Sequence, residues 1–337
     1  MKIQGILTPN IVPFHDDRRI NEGELRRYVN WLIEKGINGL YPNGSTGEFI
    51  RLGFEERKRV TAIVADEAAG RVPILAGAAE ANIDLVLEAC AHCADLGCAA
   101  VSVTGPYYYR VSQESIEHYF RELAQHSPID ILLYNIPQFS NEISVEVVRR
   151  LALDCPRIIG IKDSSRDMPR FMNTLGKIKP QRPDFICLTG TEETLLPSLM
   201  MGGDGGTIAT SGVAPEAVMK LYHHWQRGNL AEARQIQFKI LELIETMFAA
   251  GNFPEGFREG VNLRGFDAGR ARQPISPGEM EHFLSIRSKL ACLLADCGFA
   301  EAASHCRRPS HSAAAGDSGD RFDIEAIVRE VVGKLRA

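Results

Sequence analysis

The sequence has no apolar run long enough to cross a bilayer, and its opening residues, Met1-Lys2-Ile3-Gln4-Gly5, carry no hydrophobic leader. A cytoplasmic protein is the expectation. Basic runs interleaved with aromatics are missing too, and Asp plus Glu outnumber Lys plus Arg by 43 to 38, which argues against a nucleic-acid partner. The glycine-rich turn G-x-G-x-x-G is lacking at the first strand–helix junction, so an open dinucleotide-binding sheet loses its usual mark. Eight cysteines, at positions 90, 93, 98, 155, 187, 292, 297 and 306, are too scattered over 337 residues to form a disulfide scaffold and are expected to stay reduced. Cys90 and Cys93 have the spacing of a metal or redox pair, but they fall mid-helix without a second ligand pair, so no metal site is read there.

What is present is alternation. Short β-like runs at Gly5–Leu7, Gly39–Tyr41, Ile74–Ala76, Ala100–Val103, Ile131–Tyr134, Ile158–Ile161, Phe185–Leu188 and Gly206–Ile208 alternate with amphipathic helical stretches near 22–35, 54–69, 82–96, 112–126, 143–153, 167–178, 192–201 and 215–226. Eight of each predicts an α/β protein with a closed (β/α)8 TIM barrel over residues 1–225. Residues 226–298 keep helical periodicity without strands and form a helical C-terminal extension. Small, polar, punctuated residues then predict a flexible linker over 299–320. The final stretch, 321–337, repeats apolar residues at three- and four-residue intervals (Phe322, Ile324, Ile327, Val328, Val331, Val332, Leu335), the pattern of a tethered amphipathic helix.

The chemistry centres on Ile158–Arg166. A buried apolar strand there ends on Lys162, and desolvation favours the neutral amine that can attack a carbonyl carbon. A lysine that snorkels to solvent is the plainer alternative. In a (β/α)8 barrel the residues just after each strand form the site. Strand two runs into Asn43-Gly44-Ser45-Thr46-Gly47-Glu48, a turn whose backbone amides and hydroxyls suit a carboxylate. Strand four runs into Thr104-Gly105-Pro106-Tyr107-Tyr108-Tyr109, and strand five into Tyr134-Asn135-Ile136-Pro137, which offers a phenol able to pass protons.

Together, the strand-six lysine, the Gly44–Glu48 turn, Tyr134–Pro137 and Gly202–Ile208 closely resemble the dihydrodipicolinate synthase and N-acetylneuraminate lyase family, from about Ile3 to Leu294. The resemblance implies a class I aldolase or lyase that needs no cofactor. Lys162 would form an imine with the keto carbon of pyruvate or another 2-keto acid, and Tyr134 and Ser45 would relay protons. The carboxylate would sit on Ser45, Thr46 and Gly47, with Phe139 and Ile208 also facing substrate. Tyr108 corresponds to a tyrosine lent by a neighbouring subunit, and a homotetramer is implied. One departure stands out: where the synthase branch has an arginine for the aldehyde's carboxylate, this chain has Phe139. That argues against 4-hydroxy-tetrahydrodipicolinate synthase and toward lyase-like aldolases. The remaining alternatives are a dehydratase or hydratase-aldolase using the same imine, and a non-catalytic 2-keto acid binding protein. Specificity is expected around Phe139, Ser165, Arg166, Thr191 and Ser211.

The terminal helix of residues 321–337 resembles an encapsulation peptide, which implies packaging in a bacterial microcompartment through a shell or co-cargo protein. Packing back on the barrel is the competing expectation. Its mixed acids and bases do not form the lysine-rich band of a membrane-surface helix.

Overall fold

Short, largely buried strands, each followed by a helix, build the structure. The computed structural model describes residues 2–270 and 272–307. Eight parallel strands are found among them: β1 Gly5–Thr8, β2 Gly39–Leu40, β3 Leu75–Gly77, β4 Ala100–Thr104, β5 Ile131–Asn135, β6 Ile158–Asp163, β7 Ile186–Thr189 and β8 Gly205–Thr207. They hydrogen-bond in the order β2-β1-β8-β7-β6-β5-β4-β3, and a bridge from Leu40 to Ile74 closes the ring. The fold is a (β/α)8 barrel, as the alternation predicts. The helices are α1 Glu22–Glu34, α2 Phe54–Ala68, α3 Ile83–Asp95, α4 Gln113–His126, α5 Val145–Asp154, α6 Met168–Ile178, α7 Leu195–Met200 and α8 Pro215–Gln226. After them come α9 Leu230–Ala249, α10 Glu255–Leu263, α11 Pro277–Asp296 and α12 Ala300–Ala303.

Local chemistry sets where the helices around the site begin. Asn82, Ser112, Ser144 and Asp167 each accept a backbone N–H in the first turn of α3, α4, α5 and α6, a cap worth about 1 kcal/mol. Ser276 and Glu279 form a reciprocal capping box that starts α11.

Two apolar layers result. Outward-facing strand residues such as Ile131, Leu133, Ile158 and Ile161 join the helices in the main core. Inward-facing Leu7, Leu75, Ala100, Leu132 and Leu188, all fully buried, fill the barrel with Tyr41. This interior layer is a floor, and the alternation that makes it also aims the next inward residue of each strand at the space above.

Barrel and C-terminal helices form one compact unit through Arg307. The linker expected from residue 299 therefore begins too early. Phe299 caps α12, Ala302 is fully buried, Arg264 lies 3.8 Å over the Phe299 ring and pairs with Glu301 at 2.8 Å, and Cys306 is disulfide-bonded to Cys292. Composition misled here because one buried alanine and one aromatic suffice to dock a single helical turn. The disulfide likewise corrects the expectation that all eight cysteines are free. Cys90 and Cys93 are buried on α3, and burial pushes the Cys90 thiol up to about 11. The rest of the expected linker and the amphipathic helix of 321–337 lie outside the described residues.

Candidate active site

Strand register brings the central side chains together. Tyr134 on β5 stands opposite Lys162 on β6, and Lys162 stands opposite Leu188 on β7. Leu132 belongs to the interior floor, so Tyr134, two residues on, points into the space above it. Lys162 is 4% exposed, and its Nζ lies 4.0 Å from the centre of the Tyr134 ring and 4.4 Å from that of Tyr41. The two rings meet edge to face at 6.4 Å. Among the described residues Lys162 has no carboxylate partner.

Neighbouring residues hold this pair in place. Asn135 Nδ2 donates to Asp163 Oδ1 at 3.1 Å and its Oδ1 accepts from the Ile143 amide at 3.0 Å, while Arg170 Nε donates to Asp163 Oδ2 at 3.1 Å. These outward-facing polar groups, one position beyond Tyr134 and Lys162, lock both strand ends. Gly190 makes room for the lysine: a Cβ there would lie 2.0 Å from Ser164 Oγ and 2.8 Å from Lys162 Cε.

The two phenols are driven apart electrostatically. Burial pushes the Tyr134 hydroxyl up, but the Lys162 charge and hydrogen bonds with Ser164, Ser45 and Lys162 outweigh it, leaving the group below the ordinary tyrosine value. Tyr41 lacks that relief. Burial, then the neighbouring Tyr134, raise it, so it stays a neutral phenol. The two phenols therefore differ in how readily each gives up its proton.

The turn after β2 forms the opposite wall. The Gly47 and Glu48 amides donate to Gly44 and Ser45 carbonyls, both at 3.0 Å. A Cβ on Gly44 would meet the Tyr41 ring at 2.4 Å, so this glycine lets the turn lie on that phenol. Ser45 and Thr46 line a cavity of about 330 Å³ over Lys162. Thr207 lines it too, and its buried Oγ1 has no partner. The outer rim carries Phe139, Arg166 and Phe248, and a second cavity of about 440 Å³ shares Ser45, Ile136, Phe139 and Phe253 with the first.

Several expected residues fall elsewhere. Gly47 closes the turn with its amide and offers no side-chain surface. Ile208 packs outside the barrel with Ile6, Leu195 and Leu199, because register gives the interior position to Thr207. Ser211 is fully buried and bonds Thr8 Oγ1 at 2.7 Å, and Ser165 builds the turn between Asp163 and Asp167. Glu48 is an anchor: its carboxylate pairs with Arg258 of α10 and, at 2.8 Å, with Arg51. Tyr108 is 88% exposed and has a left-handed backbone at φ 73°. Sequence reasoning missed Tyr41, Ser164, Thr207, Phe248 and Phe253. Ser164, beside the lysine in the polar turn, was the one with a local signal.

A (β/α)8 barrel whose carboxyl-end cavity encloses a lysine and a phenol carries its polar groups where barrel enzymes keep their sites. Residues 2–292 match the dihydrodipicolinate synthetase family, and the chain belongs to that family. An uncharacterized DapA-like lyase of Pyrococcus horikoshii is 34% identical over 275 residues, covering 82% of this chain and 92% of that protein. The 4-hydroxy-tetrahydrodipicolinate synthase of Methanopyrus kandleri is also 34% identical, over 277 residues, 81% of this chain and 91% of that one. Among solved structures, YagE, a prophage protein of the same family from E. coli K12 in complex with pyruvate, superposes with a TM-score of 0.81 at 28% identity, covering 87% of this chain and 99% of YagE. The chain is thus a family aldolase or lyase.

Proposed function

We propose that the protein is a class I aldolase that makes or breaks a carbon–carbon bond between pyruvate and an aldehyde, with Lys162 as the imine-forming residue. The observation that carries this reading is a buried lysine with no carboxylate partner among the described residues, held against a phenol whose acidity its own charge increases.

The Lys162 amine attacks the keto carbon of a 4-hydroxy-2-keto acid, and water leaves to give an iminium. Tyr134, as phenolate, takes the proton of the 4-hydroxyl. The bond between C3 and C4 then breaks, its electron pair moving through C3 to the iminium nitrogen, and the aldehyde departs. The resulting enamine is protonated at C3, and water releases pyruvate and the free lysine. Ser45, hydrogen-bonded to Tyr134, carries protons outward, and Thr46 with the Ser45 and Thr46 amides receives the carboxylate. General acid–base help of this kind contributes about 10²–10⁴-fold.

Phe139 disfavours aspartate semialdehyde, whose carboxylate has no cation waiting at that position. Loss of water from the aldol product on the same imine would make the enzyme a hydratase-aldolase, a reading that shares every residue. Exposed Tyr108 supports exchange between subunits, and we propose a homotetramer on that basis. The apolar stripe of 321–337 supports packaging in a bacterial microcompartment, a proposal resting on sequence pattern alone.

Borohydride reduction with labelled pyruvate tests the chemistry. A reduced adduct should appear on the peptide bearing Lys162 and be lost in Lys162→Ala. Labelling elsewhere, or an active alanine variant, ends the reading.

A further inference from the structure

Around the outer half of the cavity, several polar side chains are already engaged within the protein. Arg166 pairs with Glu193 at 3.2 Å, and Gln138 Nε2 donates to the Ser164 carbonyl at 3.2 Å. Thr191 and Thr194 hydroxyls bond at 2.8 Å, and Glu192 Oε1 accepts from Thr210 N at 2.7 Å and Thr210 Oγ1 at 2.9 Å. A polyol or a second carboxylate bound here would compete with these contacts.

The apolar groups are in the opposite condition. Phe139 is 62% exposed and Phe248 44% exposed, and both line the Lys162 cavity. Phe248 stacks on Phe253 with centroids 5.8 Å apart and an interplanar angle of 25°, and both rings abut the buried Phe257, at 5.4 and 5.7 Å. The guanidinium of Arg166 lies 5.8 Å over Phe248 and stiffens the wall further. Ile136 continues the apolar surface beneath Phe139 toward the lysine. This is a rigid aromatic slot that opens beside a reactive amine, with free ring surface on two sides.

We infer that the aldehyde half of the substrate is an aromatic aldehyde, its ring held between Phe139 and the Phe248–Phe253 wall. The inference rests on the imine reading above. An aryl ring buries ring surface now facing water and gains offset or edge-to-face contacts, while asking for no hydrogen bond that the slot has already used. A carboxylated or polyhydroxylated aldehyde meets the reverse balance, since desolvated polar groups without partners are strongly disfavoured.

The test measures kcat/KM at saturating pyruvate, by pyruvate consumption, for benzaldehyde, acetaldehyde, glyceraldehyde and succinic semialdehyde. Benzaldehyde should exceed each of the others by roughly tenfold or more. Phe139→Ala and Phe248→Ala should each cut the benzaldehyde-to-acetaldehyde ratio by roughly tenfold, and exposure of both side chains lets these variants fold. Equal use of benzaldehyde and any of the other aldehydes overturns the inference, as does a loss in the variants that is uniform across aldehydes. Borohydride trapping with pyruvate on the same preparation separates the two layers. Trapping without aromatic preference removes only the substrate assignment, whereas failure to trap removes the imine reading and the assignment with it.

Discussion

Two buried cations in this molecule live under opposite rules. Arg258, on α10, is 1% exposed and saturated: it pairs with Glu48, with Glu255 at 3.2 Å, and donates to the carbonyls of Val12 at 2.8 Å and Ala268 at 2.7 Å. Lys162 is 4% exposed and meets ring faces and hydroxyls instead, with no carboxylate among the described residues. A buried charge with complete hydrogen bonding holds elements together, here the β2 turn to the C-terminal helices. One left without a counter-ion is a poor structural device, which supports the reactive role proposed for it.

The comparison can be broken most severely at Lys162. Lys162→Arg keeps the charge but not the nucleophile, since a guanidinium stays protonated at any working pH. Turnover, followed by pyruvate release, should fall by more than about a thousandfold, while circular dichroism stays native. Measurable activity in that variant would make the lysine an electrostatic group only.

Tyr134→Phe comes next, with a loss of about 10²–10⁴-fold on every substrate. In the proposed mechanism cleavage needs the phenolate, and the phenol is held below its ordinary value of 10.0. The rate should therefore rise with pH and level off below pH 10. The phenylalanine variant should lose that limb, and a limb that survives would assign it to another group.

At the other pole, Arg258→Met should cost about 3–5 kcal/mol of stability, because the buried Glu48 carboxylate keeps only Arg51 of its two cations. Denaturant unfolding would measure it. Adding Glu48→Leu should restore part of the loss, and a double variant as unstable as the sum of both singles would deny the coupling. The smallest effect is expected from removing residues 308–337: unfolding midpoint and turnover should stay within error of the full chain, while a fusion of 321–337 to a fluorescent protein should still reach a compartment shell. A drop of several degrees on truncation would favour the helix packing on its own enzyme.

The alternation of strand and helix was legible because each repeat writes its own period, and Lys162 and Tyr134 because an ammonium and a phenol end otherwise apolar strands. Ile208 against Thr207 shows the limit of that reading: a one-residue uncertainty in strand register exchanges inside for outside. Thr207, with its orphan hydroxyl, was therefore invisible where Ile208 was chosen. Phe248 and Phe253 reach the cavity from the end of α9 and the loop before α10, more than eighty residues after Lys162. No local pattern announces such an arrival. The Glu48–Arg258 pair spans 210 positions, so Glu48 read as part of a binding turn when its carboxylate in fact serves the seam.

The apolar floor of Leu7, Leu75, Leu132 and Leu188 closes the barrel at one end, and that closure imposes a traffic rule. Under the proposed imine chemistry, the partner joined to the deep lysine must arrive first and depart last, while the aldehyde comes and goes above it. Steady-state kinetics should show an ordered or ping-pong pattern, with the aldehyde as first product released from the keto acid and pyruvate as second. Pyruvate should then compete directly with the keto acid for the unmodified lysine.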